Sequence, residues 1–563
     1  AGGGLSQQQL LSDPTALGGD ASAAALQTRS GHRASAAEPG AFANEALINP
    51  HLHASQKSWE AALGGLQLPL RVQPYIGDGL VAGQGESWTR ENPSNSAQAI
   101  SIVEGASVEQ ARQAMEHARI AFKSWSSESV QTRAQALFNL AEQMRHRRLE
   151  LSAFICLEVG KSLPEADGDV AEAIDFCTYY ARQALKLQAG KALQAHVPGE
   201  SNRINYSPRG VAVVIAPWNF PLAILAGMTA AAAVVGNSVI MKPAEQSSGV
   251  AALLMQMISA AGFPKGVVQL LPGRGELIGP VLVAHPQTAI VAFTGSMEVG
   301  LSILEGAAQT VQAQAQVRRV ICEMGGKNAI IIDDDADLDE AVSGVVKSAF
   351  GFAGQKCSAC SRVIVLDKIH DAFCHRLKEA IEALHVGPAK QPGFDFGPLV
   401  DAQALEKVQA AIALGQKEGR LLAQSSSAEG GHFAPASVFM GISGDDRLAQ
   451  EEVFGPVVAL LRARDLEHAL HLANDTPFAL TGGFYSRSPL RIETVKRRFA
   501  VGNLYINRTC TGALVERHPF GGFKMSGIGG KAGGADYLLQ FVDARHVCEN
   551  DMRRGFAPDL GQL

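Results

Sequence analysis

Cys357 stands in Gly354-Gln355-Lys356-Cys357-Ser358-Ala359-Cys360-Ser361-Arg362, between a predicted helix and the apolar strand Val363 to Leu366, so a turn should carry it. The thiolate is the attacking form of cysteine, and Lys356 beside it is expected to depress the pKa of Cys357 and make it a nucleophile. Spacing alone leaves two other readings open. Cys357 and Cys360 could be small buried hydrophobes, or a C-x-x-C redox or zinc pair, against which stands the lack of a second pair at suitable spacing. In Ala216-Pro217-Trp218-Asn219-Phe220-Pro221 the prolines fix a turn, and the Asn219 amide could donate to a developing oxyanion or serve only as a turn residue. Glu323 ends an apolar strand before Met324-Gly325-Gly326-Lys327-Asn328. Its carboxylate could activate a water, or could be a cap or an ion-pair partner of Lys327.

Two further turns offer groups to a nucleotide. Lys242-Pro243-Ala244-Glu245 follows one strand, and Phe293-Thr294-Gly295-Ser296-Met297-Glu298-Val299-Gly300 joins another to its helix. The second is not a G-x-G-x-x-G fingerprint, but a helix amino-terminus there could offer Ser296 and free backbone N–H groups to a pyrophosphate. Glu245 could hold a ribose diol and would repel a 2′-phosphate, favouring NAD over NADP; the alternative for Lys242 and Glu245 is a solvated surface pair.

The elements that must position these groups follow from periodicity. From Gln113 to about Leu187 apolar residues recur at helical spacing, and the stretch reads as scaffold. After Pro208 the pattern alternates: strand Val211 to Ile215, helix Leu222 to Val235, strand Ser238 to Met241, helix Ser248 to Ala261, strand Val267 to Leu271. It continues with helix Glu276 to Ala284, strand Ala289 to Phe293, helix Glu298 to Ala308 and strand Arg319 to Glu323. Such alternation predicts an α/β fold with a parallel sheet, whose ligands sit outside the carboxyl ends of the strands. A second α/β unit begins at Asn328 to Ile332, and Asp335 is the expected cap of a helix over Leu338 to Ala349. Helices near Asp371 to Leu384 and Asp401 to Leu414 follow, and Pro519 to Gly534 is a glycine-rich passage.

A chain of 563 residues exceeds one compact core, so two or three domains are expected. The net charge of -6 carries no basic footprint for nucleic acid. The eight cysteines (156, 177, 322, 357, 360, 374, 510 and 548) are scattered, which favours a reducing compartment. The most apolar stretch, Val211 to Met241, is broken by Pro217, Asn219, Pro221, Gly227 and Gly236-Asn237 and is not expected to span a membrane. Residues 1 to about 44 have too few bulky apolar side chains to order themselves. The absent initiator Met fits a processed transit peptide, a trimmed chain or a piece of a longer polypeptide.

Taken together and in order, Pro217-Trp218-Asn219-Phe220, Lys242-Pro243-Ala244-Glu245, Phe293-Thr294-Gly295-Ser296, Glu323-Met324-Gly325-Gly326-Lys327, Gly354-Gln355-Lys356-Cys357, Glu452-Val453-Phe454-Gly455-Pro456 and Pro519-Phe520-Gly521-Gly522 resemble the aldehyde dehydrogenase superfamily, from about residue 70 to 548. The resemblance implies a variant Rossmann NAD-binding domain over 45–187 and 208–324, an α/β catalytic domain over 325–518, and a bridging oligomerisation hairpin of 188–207 with 535–548, hence a homo-oligomer of two or more copies. It implies Cys357 as nucleophile, Asn219 with the Cys357 backbone N–H as oxyanion hole, and Glu323 as the base for thioester hydrolysis. NAD would lie along Trp218, Lys242, Glu245, Gly295, Ser296, Glu452 and Phe454, and no metal is implied.

Cys357-Ser358-Ala359-Cys360-Ser361-Arg362, Thr511-Gly512-Ala513-Leu514-Val515 and Pro519 to Gly527 look like the branch that oxidises L-glutamate γ-semialdehyde, the open form of 1-pyrroline-5-carboxylate. The α-carboxylate of such a substrate would be anchored by the Ser358 hydroxyl and the Gly512 and Ala513 N–H groups, with Phe220 and Phe520 against its methylenes. That branch also occurs fused to proline dehydrogenase, so a proline dehydrogenase partner or fusion is implied; the scattered cysteines and the absent initiator Met lead to the expectation of a cytoplasmic or mitochondrial-matrix location. Met324, where many relatives have Leu, is a similar-volume change, and Glu516-Arg517-His518 brings charge close to the anchor loop. The competing expectations are another small aldehyde such as succinate semialdehyde, and a non-catalytic binding or structural protein on this fold.

Overall fold

Five short strands, four of them buried along nearly their whole length and the fifth, Arg319–Glu323, at Ile321 and Cys322, build the centre of the amino-terminal lobe in a computed structural model that describes residues 41–197 and 199–550. Their spatial order is Arg319–Glu323, Thr288–Thr294, Val211–Ile215, Ser238–Lys242, Val268–Leu270, all parallel. Numbered along the chain this is 5-4-1-2-3, the doubly wound nucleotide-binding order, and it reverses direction between Val211–Ile215 and Thr288–Thr294. The crevice above that reversal is where the Asn219 turn and the Gly295-Ser296 turn both emerge. Antiparallel Tyr75–Ile76 and Gly79–Leu80 extend one edge of the sheet, and Gly527–Ile528 extends the other, pairing with Cys322 and Glu323.

The helices Val108–Trp125, Val130–His146, Arg148–Val159 and Leu163–Leu187 follow the predicted helical stretch. Ser107 opens the first with a reciprocal capping box to Gln110. Before them, Leu70–Val72, Ser87–Asn92 and Asn95–Glu104 form a separate three-stranded sheet.

The second lobe carries a seven-stranded sheet in the order Arg420–Gln424, Ser437–Met440, Val457–Ala463, Cys360–Leu366, Asn328–Ile332, Thr481–Tyr485, Asn503–Ile506. Only the edge strand Arg420–Gln424 runs antiparallel. Helix Leu338–Phe350 is capped by Asp337, which accepts from the N–H groups of Asp339 and Glu340. The expected cap, Asp335, instead accepts from Ser486 Oγ and Arg487 N, because the residue nearer the helix start reaches its open N–H groups.

The strand Val542–Asn550 pairs antiparallel with Glu200–Pro208, from Val542↔Pro208 to Asn550↔Glu200, and Lys191–Ala192 completes that sheet. All its residues after Val542 are exposed. Among the described residues no helix is long and apolar enough to cross a membrane. Residues 41–46 carry no regular secondary structure, and the expectation for residues 1–40 lies outside the described residues.

Candidate active site

Cys357 lies in a turn just before strand Cys360–Leu366, so it enters from the amino edge of its own sheet, while Asn219 and Glu323 come from the carboxyl edge of the other. The site is therefore a seam between two sheets. Its loop is tightly specified. Phe352, Ala353 and Gly354 are consecutively left-handed, at φ of 52°, 54° and 69°. Gly354 packs where a Cβ would stand 2.5 Å from the Gly455 carbonyl oxygen. Non-glycine residues held left-handed cost about 1 kcal/mol or more each, which the surrounding contacts must offset.

Those contacts are polar and buried. Asn328 Nδ2 donates to the carbonyl oxygens of Cys357 (2.7 Å) and Ala359 (2.9 Å), while its Oδ1 accepts from Thr481 N (3.0 Å). Gln355 Oε1 accepts from Val400 N at 2.9 Å. Asn219, buried in its turn, donates from Nδ2 to Gln355 O at 3.1 Å. One of its two amide N–H bonds is thereby fixed, which aims the other. Asn328 was not singled out in the sequence, where it reads only as the first residue of a strand.

The electrostatics of the thiol differ from expectation. Lys356 turns away to pair with Glu165 at 2.6 Å. Burial around the sulfur and the nearby Glu323, Glu452 and Glu172 carboxylates push the Cys357 thiol above its usual range, and the Ser358 N–H opposes them. Cys360 is a buried residue of the strand. Among the described residues the grouping of three or more side chains that could hold a metal is Asp333-Asp334-Asp335, which contains neither Cys357 nor Cys360, and both cysteines are free thiols.

Glu323 ends strand Arg319–Glu323, and burial pushes its carboxyl up to about 8 against the opposing charge of Lys531. Its Oε1 is buried without a hydrogen-bond partner. The ion pair with Lys327 does not form; the cation acting on Glu323 is Lys531. Glu452 accepts from Gly326 N at 3.0 Å, and a Cβ on Gly325 would run into its carboxylate, so a larger residue there would displace Glu452. Phe454, left-handed at φ 59°, meets Trp218 edge-on at 5.6 Å between ring centroids.

On the nucleotide side, Lys242 Nζ pairs with Glu245 Oε1 at 2.9 Å, and the same oxygen accepts from Gly275 N at 2.7 Å. Lys242 is buried, so this is not a solvated surface pair. Ser296, exposed, caps helix Met297–Ala308 by accepting from Val299 N at 3.3 Å, next to Gly295. A half-buried carboxylate at the end of one strand, a helix amino-terminus at the end of another and a ring pair between them suit a dinucleotide with an unphosphorylated ribose.

At the far end Ser358 is buried and its carbonyl accepts from Thr481 Oγ1 at 3.0 Å. Gly512 takes φ 76° in an exposed loop with Ala513 beside it. His518 folds back on that loop: its Nδ1 accepts from Leu514 N and its backbone N–H donates to Leu514 O. Glu516 and Arg517 stay exposed, so the charged triplet leaves the loop ordered. Phe520 is paired through its backbone with Ala532.

Helix Leu163–Leu187 is more than scaffold. Glu165, Asp169 and Glu172 recur at i, i+4 and i+7 on one face. Asp169 pairs with the buried Lys161 at 2.9 Å, and the Lys161 ammonium lies 3.7 Å above the Phe220 ring. Glu172, raised to about 8 chiefly by burial, adds its charge at Cys357. The acidic stripe on an otherwise apolar helix face was the signal available in the sequence.

The model of the aldehyde dehydrogenase family matches residues 80–547. A 1-pyrroline-5-carboxylate dehydrogenase of Geobacillus thermodenitrificans is 45% identical over 515 residues, covering 89% of this chain and 100% of that protein. A crystal structure of Thermus 1-pyrroline-5-carboxylate dehydrogenase with bound NAD superposes with a TM-score of 0.88 at 43% identity, covering 92% of this chain and 100% of the other. A structure of proline utilization A from Bdellovibrio bacteriovorus gives a TM-score of 0.90 at 51% identity over 93% of this chain, which spans 54% of that longer protein.

Proposed function

The chain belongs to the aldehyde dehydrogenase family, and from that premise we propose that it oxidises L-glutamate γ-semialdehyde to L-glutamate through a thioester on Cys357. NAD, when bound, accepts the hydride that leaves the substrate carbon. The chain's own residues do the rest. Cys357 Sγ gives its proton to solvent and attacks the aldehyde carbon, and the free Asn219 amide N–H and the Cys357 backbone N–H receive the oxygen as the C=O π bond opens onto it. Glu323 takes a proton from water, whose oxygen attacks the thioester; the C–S bond breaks and Cys357 is released. Lys242 and Glu245 would hold the adenosine ribose, Gly295 and Ser296 the pyrophosphate, and Glu452 the nicotinamide ribose between Trp218 and Phe454.

The substrate's α-carboxylate is assigned to the Ser358 hydroxyl and the Gly512 and Ala513 N–H groups, and its methylenes to Phe220 and Phe520. Glu172, which has no ion pair among the described residues, is left to face the α-ammonium. The observation that supports the assignment most is the convergence of a strained, hydrogen-bonded cysteine turn with Asn219 and the buried Glu323.

We assign 45–187 and 208–324 to cofactor binding, 325–518 to catalysis, and 188–207 with 535–548 to joining copies into a dimer or larger assembly. The exposed strand Val542–Asn550 supports the last. Light scattering that returned a monomer mass would remove it. The bacterial relatives favour a cytoplasmic enzyme and give no support to the mitochondrial matrix. The likeness to proline utilization A supports a proline dehydrogenase partner or fused domain.

The test is NADH formation, followed by absorbance, with 1-pyrroline-5-carboxylate beside propanal and succinate semialdehyde, in wild type and Cys357→Ala. Preference for the first, abolished in the variant, is expected. Equal turnover of the simple aldehydes would remove the substrate assignment, and undiminished turnover in the variant would remove the thioester.

A further inference from the structure

Lys531 has no part in the reaction as assigned, yet its ammonium ties together three segments beside Glu323. Its Nζ donates to the carbonyl oxygens of Gly502 (2.8 Å) and Gly521 (2.6 Å) and to Asn503 Oδ1 (3.1 Å). Asn503 reinforces the knot, donating from Nδ2 to Pro519 O at 2.9 Å and accepting from Gly521 N at 3.3 Å. Gly521 transmits the arrangement to the carboxylate. A Cβ there would stand 3.0 Å from Glu323 Oε1 and 3.5 Å from both Cα and Cγ of Lys531. The carboxylate and the lysine thus neighbour one point on the same bare α-carbon.

We propose that Lys531 is a positioning residue for thioester hydrolysis: it clamps the Gly502 and Gly521 carbonyls so that Gly521 forms the wall on which Glu323 rests, and its charge keeps that carboxylate able to take a proton from water. The proposal rests on the reading of Glu323 as the hydrolytic base. Glu323 Oε1 has no hydrogen-bond partner of its own, so nothing local favours the anion. The other titratable groups whose charge is felt between them and Glu323 are the Cys357 thiol and the Tyr180 and Tyr537 phenols. None of these is a cation. Lys531 is the positive charge acting there, and half-burial limits its screening by solvent.

The experiment is rapid mixing of the full chain with NAD and 1-pyrroline-5-carboxylate across pH, reading the NADH burst and the steady-state rate separately. K531M, K531Q and K531R are compared with wild type and E323Q. K531M and K531Q should keep the burst, and the acidic limb of their steady-state profile should move up by about one pH unit, lowering the rate at pH 7 by about tenfold. K531R should return the limb toward wild type. K531Q can still donate to the carbonyls, so it keeps the test open if K531M does not fold. An unmoved limb in the uncharged variants, with E323Q unable to turn over, overturns the role of Lys531 alone. Undiminished turnover in E323Q overturns the reading of Glu323, and this proposal with it.

Discussion

Two turns bring carboxylates to Cys357 and they are built on opposite plans. Glu452 is fastened: it accepts the Gly326 N–H at 3.0 Å and its carboxylate lies in the space a side chain on Gly325 would take. Glu323 is left open, with Oε1 buried, unpartnered and bordered by a glycine. A carboxylate tied to a backbone N–H keeps one position, which suits holding a ligand, even though burial raises Glu452 as well. A buried one with an open oxygen can gain a proton and change partners, which suits moving a proton.

The strongest way to break this comparison is to remove each acid in turn. Glu323→Gln should lower steady-state turnover by roughly 10² to 10⁴-fold while a burst of NADH survives, whereas Glu452→Gln should act first on NAD affinity, read by fluorescence titration. Identical effects of the two would show that the difference in hydrogen bonding has no functional meaning.

Next in size is Gly325→Ala, whose methyl would enter the Glu452 carboxylate and force it to move. We expect on the order of 10²-fold lower kcat/KM, with the thermal midpoint little changed because the shift is confined to a loop. Unaltered kinetics would mean that the Glu452 position is not critical.

The pH dependence sharpens the contrast. Because burial raises Glu323 to about 8, the fraction able to accept a proton grows with pH, so steady-state turnover should rise through pH 8 in wild type and lose that limb in Glu323→Gln. The same substitution removes a negative charge acting on Cys357, so the thiol should ionise more readily and iodoacetamide should label it faster at a given pH. Slower labelling would contradict the sign of that interaction.

The smallest expected effect is at Glu172. Glu172→Gln should raise KM for glutamate semialdehyde by ~5-fold, about 1 kcal/mol, and leave KM for propanal, which has no ammonium, where it was. Equal changes for both substrates would make Glu172 a matter of local packing.

Much of this was legible in the chain because strand and turn signals are local. The apolar run Val211 to Ile215 followed by two prolines places Asn219 at a strand end whatever the rest of the molecule does, and the same holds for Glu323 after Arg319 to Cys322. The helix Leu163–Leu187 was legible as a helix but not as part of the site, since nothing local says what its acidic stripe faces.

The sequence by itself therefore determined which side chains stand at which turns, because those turns are set by residues a few positions away. Tertiary structure alone decided their charge and their company. Lys356 adjoins Cys357 in sequence but spends its charge on Glu165, 191 residues distant, while Glu323 finds its cation in Lys531 rather than in Lys327. Burial and Coulomb interaction depend on distance through space, and that is fixed only when the two sheets meet along their seam.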